Sequence, residues 1–126
     1  MNLTAMIKEF KSMIGEPITE KPRLLTCKEF YLDIYMIRDE TEEFELGWTK
    51  KDLENCAKEI GDIIYTASGT AVKMGLDIDA ILEEIHRSNM TKSSGHSAPS
   101  GKWEKGPDYQ PPNLKDVIWK KKNGDE

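Results

Sequence analysis

Acidic residues at helical spacing are the feature of this sequence that could support chemistry. Glu40 and Glu43 lie in RDETEEFELG, and Glu59 and Asp62 lie in KEIGDIIY. Residues three positions apart share a face of an α-helix, so side-by-side packing of the two helices would bring four carboxylates together. Two carboxylates about 5 Å apart repel by roughly 3 kcal/mol at an effective dielectric of about 20. We therefore predict a site for a divalent cation that prefers oxygen ligands, Mg²⁺ first and Mn²⁺ second.

A solvated helix face is the alternative explanation for the first acidic pair, because Asp39, Glu42 and Glu45 surround it. The second pair is the stronger half of the prediction. Glu59 and Asp62 lie among isoleucines in the most apolar helical segment of the chain. Carboxylates in such surroundings need either hydrogen-bonding partners or a metal ion.

Capping residues predict where the first two helices begin and end. The first helix stops before Gly15 and Pro17. Thr26 and Glu29 have the spacing of a capping box at the start of the second helix. We expect this helix, which carries the first acidic pair, to end at Gly47.

A third and strongly apolar helix follows. Thr49 is its predicted N-cap, with Asp52 in the first turn, and Gly75 is the predicted residue beyond its end. Gly61 and Gly69 lie inside it, and each costs about 1 kcal/mol relative to Ala. Close backbone packing is the reason we expect for these two glycines.

The character of the chain changes after the fourth helix, which we expect to open at Asp77 or Asp79 and to fade after His86. Ser, Gly and Pro dominate residues 93–113 and cannot continue a helix. A short helical turn is expected over residues 114–119.

These elements predict one all-α domain over residues 1–126, a bundle of four to five helices. Its core spans about 3–92. A Pro/Gly-rich loop and a short C-terminal helix span about 93–120, and a flexible tail occupies 121–126. A structureless stretch of this length is typical of a functional loop, and we expect it to act as a lid.

Composition restricts the partners. The net charge is -5, and no strongly basic block precedes the C-terminal tail, which argues against a nucleic-acid duplex. No apolar run is long enough for a transmembrane helix, and the N-terminus lacks a signal-peptide core. Cys27 and Cys56 are expected to be free thiols, so we predict a cytoplasmic protein, or one in the host cytoplasm if its source is viral.

Two further segments carry groups that suit a nucleotide. In IHRSNMTK, Arg87 and Lys92 can bind phosphate oxygens, and Asn89 can donate to and accept from a base or sugar. Favourable charges and a cap at a helix C-terminus are the alternative. In GKWEKGPDYQPPNL, Lys102 and Lys105 with an aromatic residue and a Pro-Pro pair suggest a shaped flap, and an ordinary surface loop is the alternative.

Five segments in order carry a resemblance to a known family: the first acidic segment, KEIGDIIY, GTAVKMGLD, HRSNMTK and GKWEKGPDYQPPNL. Together they resemble the MazG-like all-α nucleoside triphosphate pyrophosphohydrolases, and in particular the small stand-alone members. The resemblance covers roughly residues 24–115.

The resemblance implies a helical bundle that forms homodimers or homotetramers, with the Pro/Gly-rich loop covering the substrate over the active site. It also implies hydrolysis of (deoxy)nucleoside triphosphates to the monophosphate and pyrophosphate with Mg²⁺, and the family's habits favour deoxynucleotides. By motif match, the implied metal ligands are Glu40, Glu43, Glu59 and Asp62. The implied substrate contacts are Asn89, Lys92, Arg87, Lys102, Lys105 and Tyr109.

Asp39 is the one departure from the family pattern within the acidic motif. The family has Glu-Glu where this chain has Asp39 and Glu40. Either of these two carboxylates is a candidate to orient the attacking water. The shorter side chain of Asp39 keeps a metal-dependent nucleotide sensor without turnover as an alternative, and a non-catalytic helical interaction module is the other alternative.

Overall fold

The computed structural model describes residues 2–119, and most of these residues are helical. The helices are α1 (Leu3–Met13), α2 (Cys27–Thr49), α3 (Leu53–Lys73), α4 (Ile78–Met90) and α5 (Leu114–Ile118). A 3₁₀ turn, Thr91–Ser94, precedes two very short strands, β1 (His96–Ser97) and β2 (Trp103–Glu104). The predicted all-α class is confirmed. The predicted tail, 121–126, lies outside the described residues.

Two compact units divide the chain, Met1–Ile78 and Asp79–Glu126. The first contains α1, α2 and α3, with α2 and α1 both packed on α3. The second contains nearly all of α4, the 3₁₀ turn, the strands and α5. None of the helices described is long and apolar enough to cross a membrane.

The start of α2 is the predicted capping box. The Thr26 hydroxyl accepts the Glu29 N–H at 3.2 Å, and the Glu29 carboxylate accepts the Thr26 N–H at 2.8 Å. Arg23 adds two parallel hydrogen bonds to Glu29, both at 2.8 Å. Arg23, followed by the Thr26 backbone N–H, therefore holds the pKa of Glu29 well below its usual range.

Gly47 does not end α2, which continues to Thr49. It is a packing residue instead, buried where α3 approaches. A Cβ at Gly47 would lie 2.7 Å from Asn55 Nδ2 and 3.4 Å from the Cys56 sulfur. The small residue that looked like a helix terminus thus allows two helices to approach closely.

Asp52, rather than the predicted Thr49, caps α3. The Asp52 carboxylate accepts the Asn55 N–H at 3.0 Å, whereas the Thr49 hydroxyl donates to the Glu45 carbonyl within α2. Both side chains are able to cap a helix, but Thr49 is still part of α2 and α3 begins directly after Asp52. Gly75 follows the end of α3 with φ of 72°, as predicted.

Close packing against the rest of the described chain is the wrong explanation for Gly61 and Gly69, because a Cβ at either position would meet nothing within 4 Å there.

A buried polar network joins α2 to α3. Asp33 is only 2% exposed, and its carboxylate accepts from the Thr70 hydroxyl at 2.7 Å and from Lys73 Nζ at 2.6 Å. Gly47 near the end of α2 meets the start of α3, while Asp33 near the start of α2 meets its last turn. The two helices are therefore antiparallel, and these contacts fix their register.

The first unit buries little apolar surface within one chain. Among the described residues, the buried hydrophobic positions are Ile7, Ala71 and Val72. On α3, Ile60 is 44% exposed and Ile64 is 50% exposed, although both belong to an apolar stripe. Four of the five aromatic side chains of α2 are also exposed: Phe30, Tyr31, Tyr35 and Trp48.

The second unit is built around a hairpin after α4. That helix reaches Met90, beyond the fading expected after His86. The strands pair antiparallel, with His96 opposite Glu104 and Ser97 opposite Trp103. The predicted short C-terminal helix is present as α5, and the Asn113 side chain caps it by accepting the Asp116 N–H.

The Asp33 network gives a stability prediction. Removing one partner of a buried ion pair leaves an uncompensated charge and costs about 3 kcal/mol or more. We expect Asp33→Ala to lower the free energy of unfolding by about that amount, because Lys73 and Thr70 lose their common acceptor. Urea denaturation measures it. Glu45→Ala on the exposed side of α2 is the control and should change stability by less than about 0.5 kcal/mol. Equal losses in the two variants would contradict the assignment.

Candidate metal and nucleotide site

Three of the four predicted metal ligands converge where α2 packs on α3. Glu40 and Glu43 lie one turn apart on α2, and Glu59 reaches them from α3. One carboxylate oxygen from each lies within 4.8 Å of the other two. The i,i+3 spacing places the first pair, and the antiparallel register of the helices brings the third acid to it.

Burial makes this acidic cluster unusual. Glu59 is 3% exposed, and Glu40 is only partly exposed. The Oε2 atoms of both are buried and have no hydrogen-bond partner within the described part of the chain. Buried acceptors without donors are costly, and a bound cation would satisfy both. A set of three carboxylates suits a hard divalent ion, so the residues present fit the metal that the sequence predicts.

The carboxylates perturb one another. Burial first, and then the neighbouring Glu59 carboxyl, raise the pKa of Glu40 to about 7, with the charges of Glu43 and Asp62 adding to the effect. Contact with Glu59 also raises the pKa of Glu43, and the charge of Asp39 contributes. In the absence of a cation, the cluster therefore favours a bound proton near neutral pH.

Asp62, the fourth predicted ligand, lies outside the set of three converging oxygens. Its carboxylate accepts a hydrogen bond from Lys58 Nζ at 2.7 Å, one helical turn earlier. The same ammonium lies 3.4 Å from Glu59 Oε1. Asp62, by hydrogen bond and by charge, raises the pKa of Lys58 to about 12, so this residue stays cationic beside the cluster.

Asp39 borders the cluster without joining it. It is partly buried on α2, and its carboxylate is not among the three that converge. Its charge still acts on Glu43. The Asp39 carboxylate is thus close enough for its charge to act on Glu43, whereas the Glu40 carboxylate is one of the three that converge.

The second unit gathers two of the three predicted lysines around one aromatic ring and places the third in the same cavity. Lys105 Nζ lies 4.6 Å and Lys92 Nζ 5.7 Å from the centre of the Tyr109 ring. A cavity of about 490 Å³ is lined by Lys92, Lys102, Trp103, Glu104, Lys105 and Tyr109. Three ammonium groups against one carboxylate make this cavity cationic, as an anionic ligand requires.

Arg87 and Asn89 differ in availability, although both were predicted to contact substrate. The Arg87 guanidinium donates to the Glu84 carboxylate at 2.7 and 2.9 Å. It also donates to the Gln110 side chain and the Pro111 carbonyl. The Asn89 side chain is exposed at the last turn of α4. Asn89 is therefore open to a ligand, whereas Arg87 is committed to the loop.

Sequence reasoning overlooked several participants. Lys58 carried a signal, since it lies four residues before Asp62, a spacing at which opposite charges pair on a helix. Glu84 carried the same kind of signal three residues before Arg87. The contact of Asp33 with Thr70 and Lys73 had none, because these residues are far apart in the chain.

The raised pKa of Glu40 predicts how pH acts on stability. Between the ordinary value of 4.5 and about 7, folded Glu40 holds a proton that the unfolded chain releases. The metal-free protein should therefore lose stability as pH rises through this window. We expect its melting temperature in EDTA to fall between pH 5 and pH 8, and Mg²⁺ or Mn²⁺ to reverse most of the fall at pH 8. Differential scanning fluorimetry measures both effects.

Glu40→Gln is the matched variant for this measurement, since it keeps the shape of the side chain and removes the titration. Its melting temperature should vary less with pH in EDTA. An unchanged pH dependence in this variant would show that another group is responsible.

Lys58 predicts a change in metal affinity. Because its ammonium occupies Asp62 and adds positive charge beside Glu59, a cation must compete with it. We expect Lys58→Gln to bind Mn²⁺ about threefold more tightly, the modest effect typical of an exposed charge. Isothermal titration calorimetry measures the affinity. Lys28→Gln, an exposed position near the start of α2, controls for net charge and should leave the affinity unchanged.

Comparison with known proteins identifies the family. The family model for phosphoribosyl-ATP pyrophosphohydrolase matches residues 7–89, more than half of the chain. The matched span contains α2 and α3 with all of the clustered carboxylates. No curated protein matches the chain. The matched span, the helical fold and the buried acidic cluster agree, and the chain belongs to the phosphoribosyl-ATP pyrophosphohydrolase family, an all-α family of pyrophosphohydrolases related to MazG.

Proposed function

We propose that this protein is a Mg²⁺-dependent nucleoside triphosphate pyrophosphohydrolase of the MazG-like type. It cleaves a (deoxy)nucleoside triphosphate to the monophosphate and pyrophosphate and prefers deoxynucleotides. The observation that supports this most directly is the convergence of Glu40, Glu43 and Glu59 with two buried oxygens that lack donors. The family to which the chain belongs is one of pyrophosphohydrolases, enzymes that hydrolyse phosphoric anhydrides.

Glu40, Glu43 and Glu59 would hold the metal, with Asp62 joining them once its carboxylate exchanges Lys58 for the ion. Mn²⁺ is a substitute for Mg²⁺, because both prefer carboxylate oxygens. When bound, the metal supplies positive charge that polarises phosphate oxygens and offsets the charge that develops on them.

The chain's own side chains would supply proton transfer and substrate binding. Glu40 or Asp39 orients a water for attack on the α-phosphorus and accepts its proton. Lys92, Lys102 and Lys105 offer ammonium groups to phosphate oxygens. The exposed amide of Asn89 and the ring of Tyr109 complete the contacts that we assign to the nucleotide.

Phosphoribosyl-ATP is the second candidate substrate, and the family match favours it. That match ends at residue 89, however, before Lys92 and the hairpin. The segment beyond it contains GKWEKGPDYQPPNL, one of the five segments that together resemble the stand-alone MazG-like enzymes. We therefore place nucleoside triphosphates first and phosphoribosyl-ATP second.

Product analysis tests the reaction. The purified protein is incubated with each common dNTP and NTP and with phosphoribosyl-ATP, in Mg²⁺ and in EDTA. We expect monophosphate and pyrophosphate, with deoxynucleotides fastest and no product in EDTA. Diphosphate plus phosphate would contradict the proposed site of attack. Metal-dependent nucleotide binding without turnover would favour a sensor, and neither binding nor turnover would favour an interaction module.

Glu59→Gln is the matched variant for this assay. It is expected to lower kcat by at least about a thousandfold, since a ligand of the catalytic ion is lost while the side chain keeps its shape. Asp62→Asn should have the same effect. Circular dichroism confirms that each variant is folded. Near-normal activity in a folded Glu59→Gln protein would contradict the ligand assignment.

We also propose that the chain forms a homodimer or homotetramer through the exposed apolar faces of α2 and α3. Tyr31, Tyr35, Ile60 and Ile64 are each at least 44% exposed in the single chain. Apolar residues exposed together in this way are typical of an interface rather than of a free surface.

Light scattering after gel filtration tests the assembly. The wild-type protein should have two or four times the mass of one chain, 14.4 kDa. Ile64→Glu should shift it to the monomer, because burial of an unpaired carboxylate opposes association. Glu45→Gln, at an exposed polar position, is the control. A monomeric wild-type protein would contradict this part of the proposal.

A further inference from the structure

The loop that carries Lys102 and Lys105 is fastened to α4 by polar contacts, with Arg87 at their centre. We propose that Arg87 and Glu84 form a positioning pair that fixes this loop and so assembles the lysine cavity, and that Arg87 is not itself a phosphate ligand. This inference rests on the proposed function in one respect, the assignment of the lysines to phosphate binding.

Four of the five N–H donors of Arg87 are already used. Nε and Nη2 bind the two oxygens of Glu84, Nη1 binds the Gln110 side chain at 3.1 Å, and Nη2 also reaches the Pro111 carbonyl at 3.3 Å. A planar guanidinium has five N–H groups in a fixed fork. The fork here spans one helical carboxylate and two loop residues, which is the geometry of a clamp.

Glu84 holds the loop at a second point. Its Oε2 accepts the backbone N–H of Asn113 at 2.6 Å while it also binds Arg87. Arg87 first, and then the Asn113 N–H, lower the pKa of Glu84 to about 2. The carboxylate therefore stays ionised at any ordinary pH, and the clamp does not depend on titration.

Two hydroxyl groups of α4 and the turn after it secure the same segment. Ser88 is only 2% exposed and donates to the Gln110 carbonyl at 2.7 Å. The Thr91 hydroxyl accepts the Gln110 N–H at 2.8 Å and donates to the Ser88 carbonyl at 2.6 Å. Both backbone groups of Gln110 are thus bound, so the chain direction at this residue is fixed.

The fixed segment controls the lysines through its neighbour. Tyr109 directly precedes Gln110, and its ring lies within 6 Å of the ammonium groups of both Lys92 and Lys105, a distance at which a cation is attracted to an aromatic ring. At the other end of the loop, Trp103 Nε1 donates to the Lys92 carbonyl at 2.7 Å. Lysines that repel one another would separate if this segment were released.

The test compares Arg87→Gln, Arg87→Lys and Glu84→Gln in the full-length protein. Arg23→Gln is the matched control, because Arg23 also makes two hydrogen bonds to a glutamate that accepts a backbone N–H, but in the first unit. One readout is the rate of tryptic cleavage after Lys102 and Lys105, located by mass spectrometry. The other is the affinity for inorganic pyrophosphate, measured by isothermal titration calorimetry.

All three variants are expected to increase cleavage after Lys102 and Lys105 about tenfold and to weaken pyrophosphate binding about tenfold, whereas Arg23→Gln changes neither. Arg87→Lys should fail to rescue, because it keeps the charge and loses the fork. If the wild-type protein hydrolyses nucleotides, the three variants should have a higher KM than wild type and a kcat within about threefold of the wild-type value.

The opposite pattern would overturn the inference. If Arg87 bound phosphate directly, Arg87→Lys would retain much of the affinity, and Glu84→Gln would free the guanidinium and leave binding unchanged or tighter. Unchanged cleavage would also overturn it, as would failure of the wild-type protein to bind pyrophosphate. If wild type hydrolyses no nucleotide, the proposed function fails, while cleavage and pyrophosphate binding still decide the role of Arg87. If the Arg87→Gln variant does not fold, the Glu84→Gln variant decides whether the pair fixes the loop.

Discussion

Electrostatic repulsion among carboxylates is the constraint around which the first unit is organised. Glu40, Glu43 and Glu59 are held within 4.8 Å of one another at a helix junction where burial strengthens their interaction. Nothing in the cluster itself favours this approach, so the rest of the α2–α3 pair must impose it. The Asp33 network and the close contact at Gly47 do so, because they lie on either side of the cluster and fix the antiparallel register. A shift of either helix would separate the acids.

The acidic cluster therefore destabilises the fold until its charge is offset by a proton or a cation. A proton on Glu40 offers partial relief near neutral pH, and Lys58 offers partial relief to Glu59 and Asp62. Lys58 reaches Oε1 of Glu59 and leaves the buried Oε2 atoms of Glu40 and Glu59 without a donor. Natural proteins accept such local conflicts at functional sites and offset them elsewhere. Metal binding would then contribute to folding as well as to chemistry.

The second unit brings positive charges together instead, and it holds them by interactions of a different kind. Among the residues of this unit that the structure describes, up to 119, no apolar side chain is buried and the one buried side chain is that of Ser88. Its loop is held by hydrogen bonds from α4 and by close backbone approach, since a Cβ at Gly106 would collide with the Ser94 carbonyl. A loop held in this way can present lysines in a defined arrangement at little cost in apolar surface. Its order depends on a few specific contacts, however, rather than on a core.

Much of this protein was determined by its sequence alone, because the relevant interactions are local. Helical periodicity, the Thr26–Glu29 capping box, Gly75 beyond the end of α3 and the short C-terminal helix all depend on residues within a few positions of one another. The acidic motifs likewise placed Glu40 and Glu43 on one helix face, because spacing alone decides that. Where two capping residues stood close together, as at Thr49 and Asp52, local chemistry was ambiguous and the sequence-based choice was wrong.

Only the tertiary structure decided what depends on contacts between distant residues. It brought Glu59 to the acids of α2 and buried Asp33 against Lys73. It also assigned Gly47 to helix packing and Arg87 to the loop. These outcomes rest on the register between helices and on competition among charged partners. Residue types and spacing predict the chemistry of the site. Which charged groups come into contact is determined only by the packing of the folded chain.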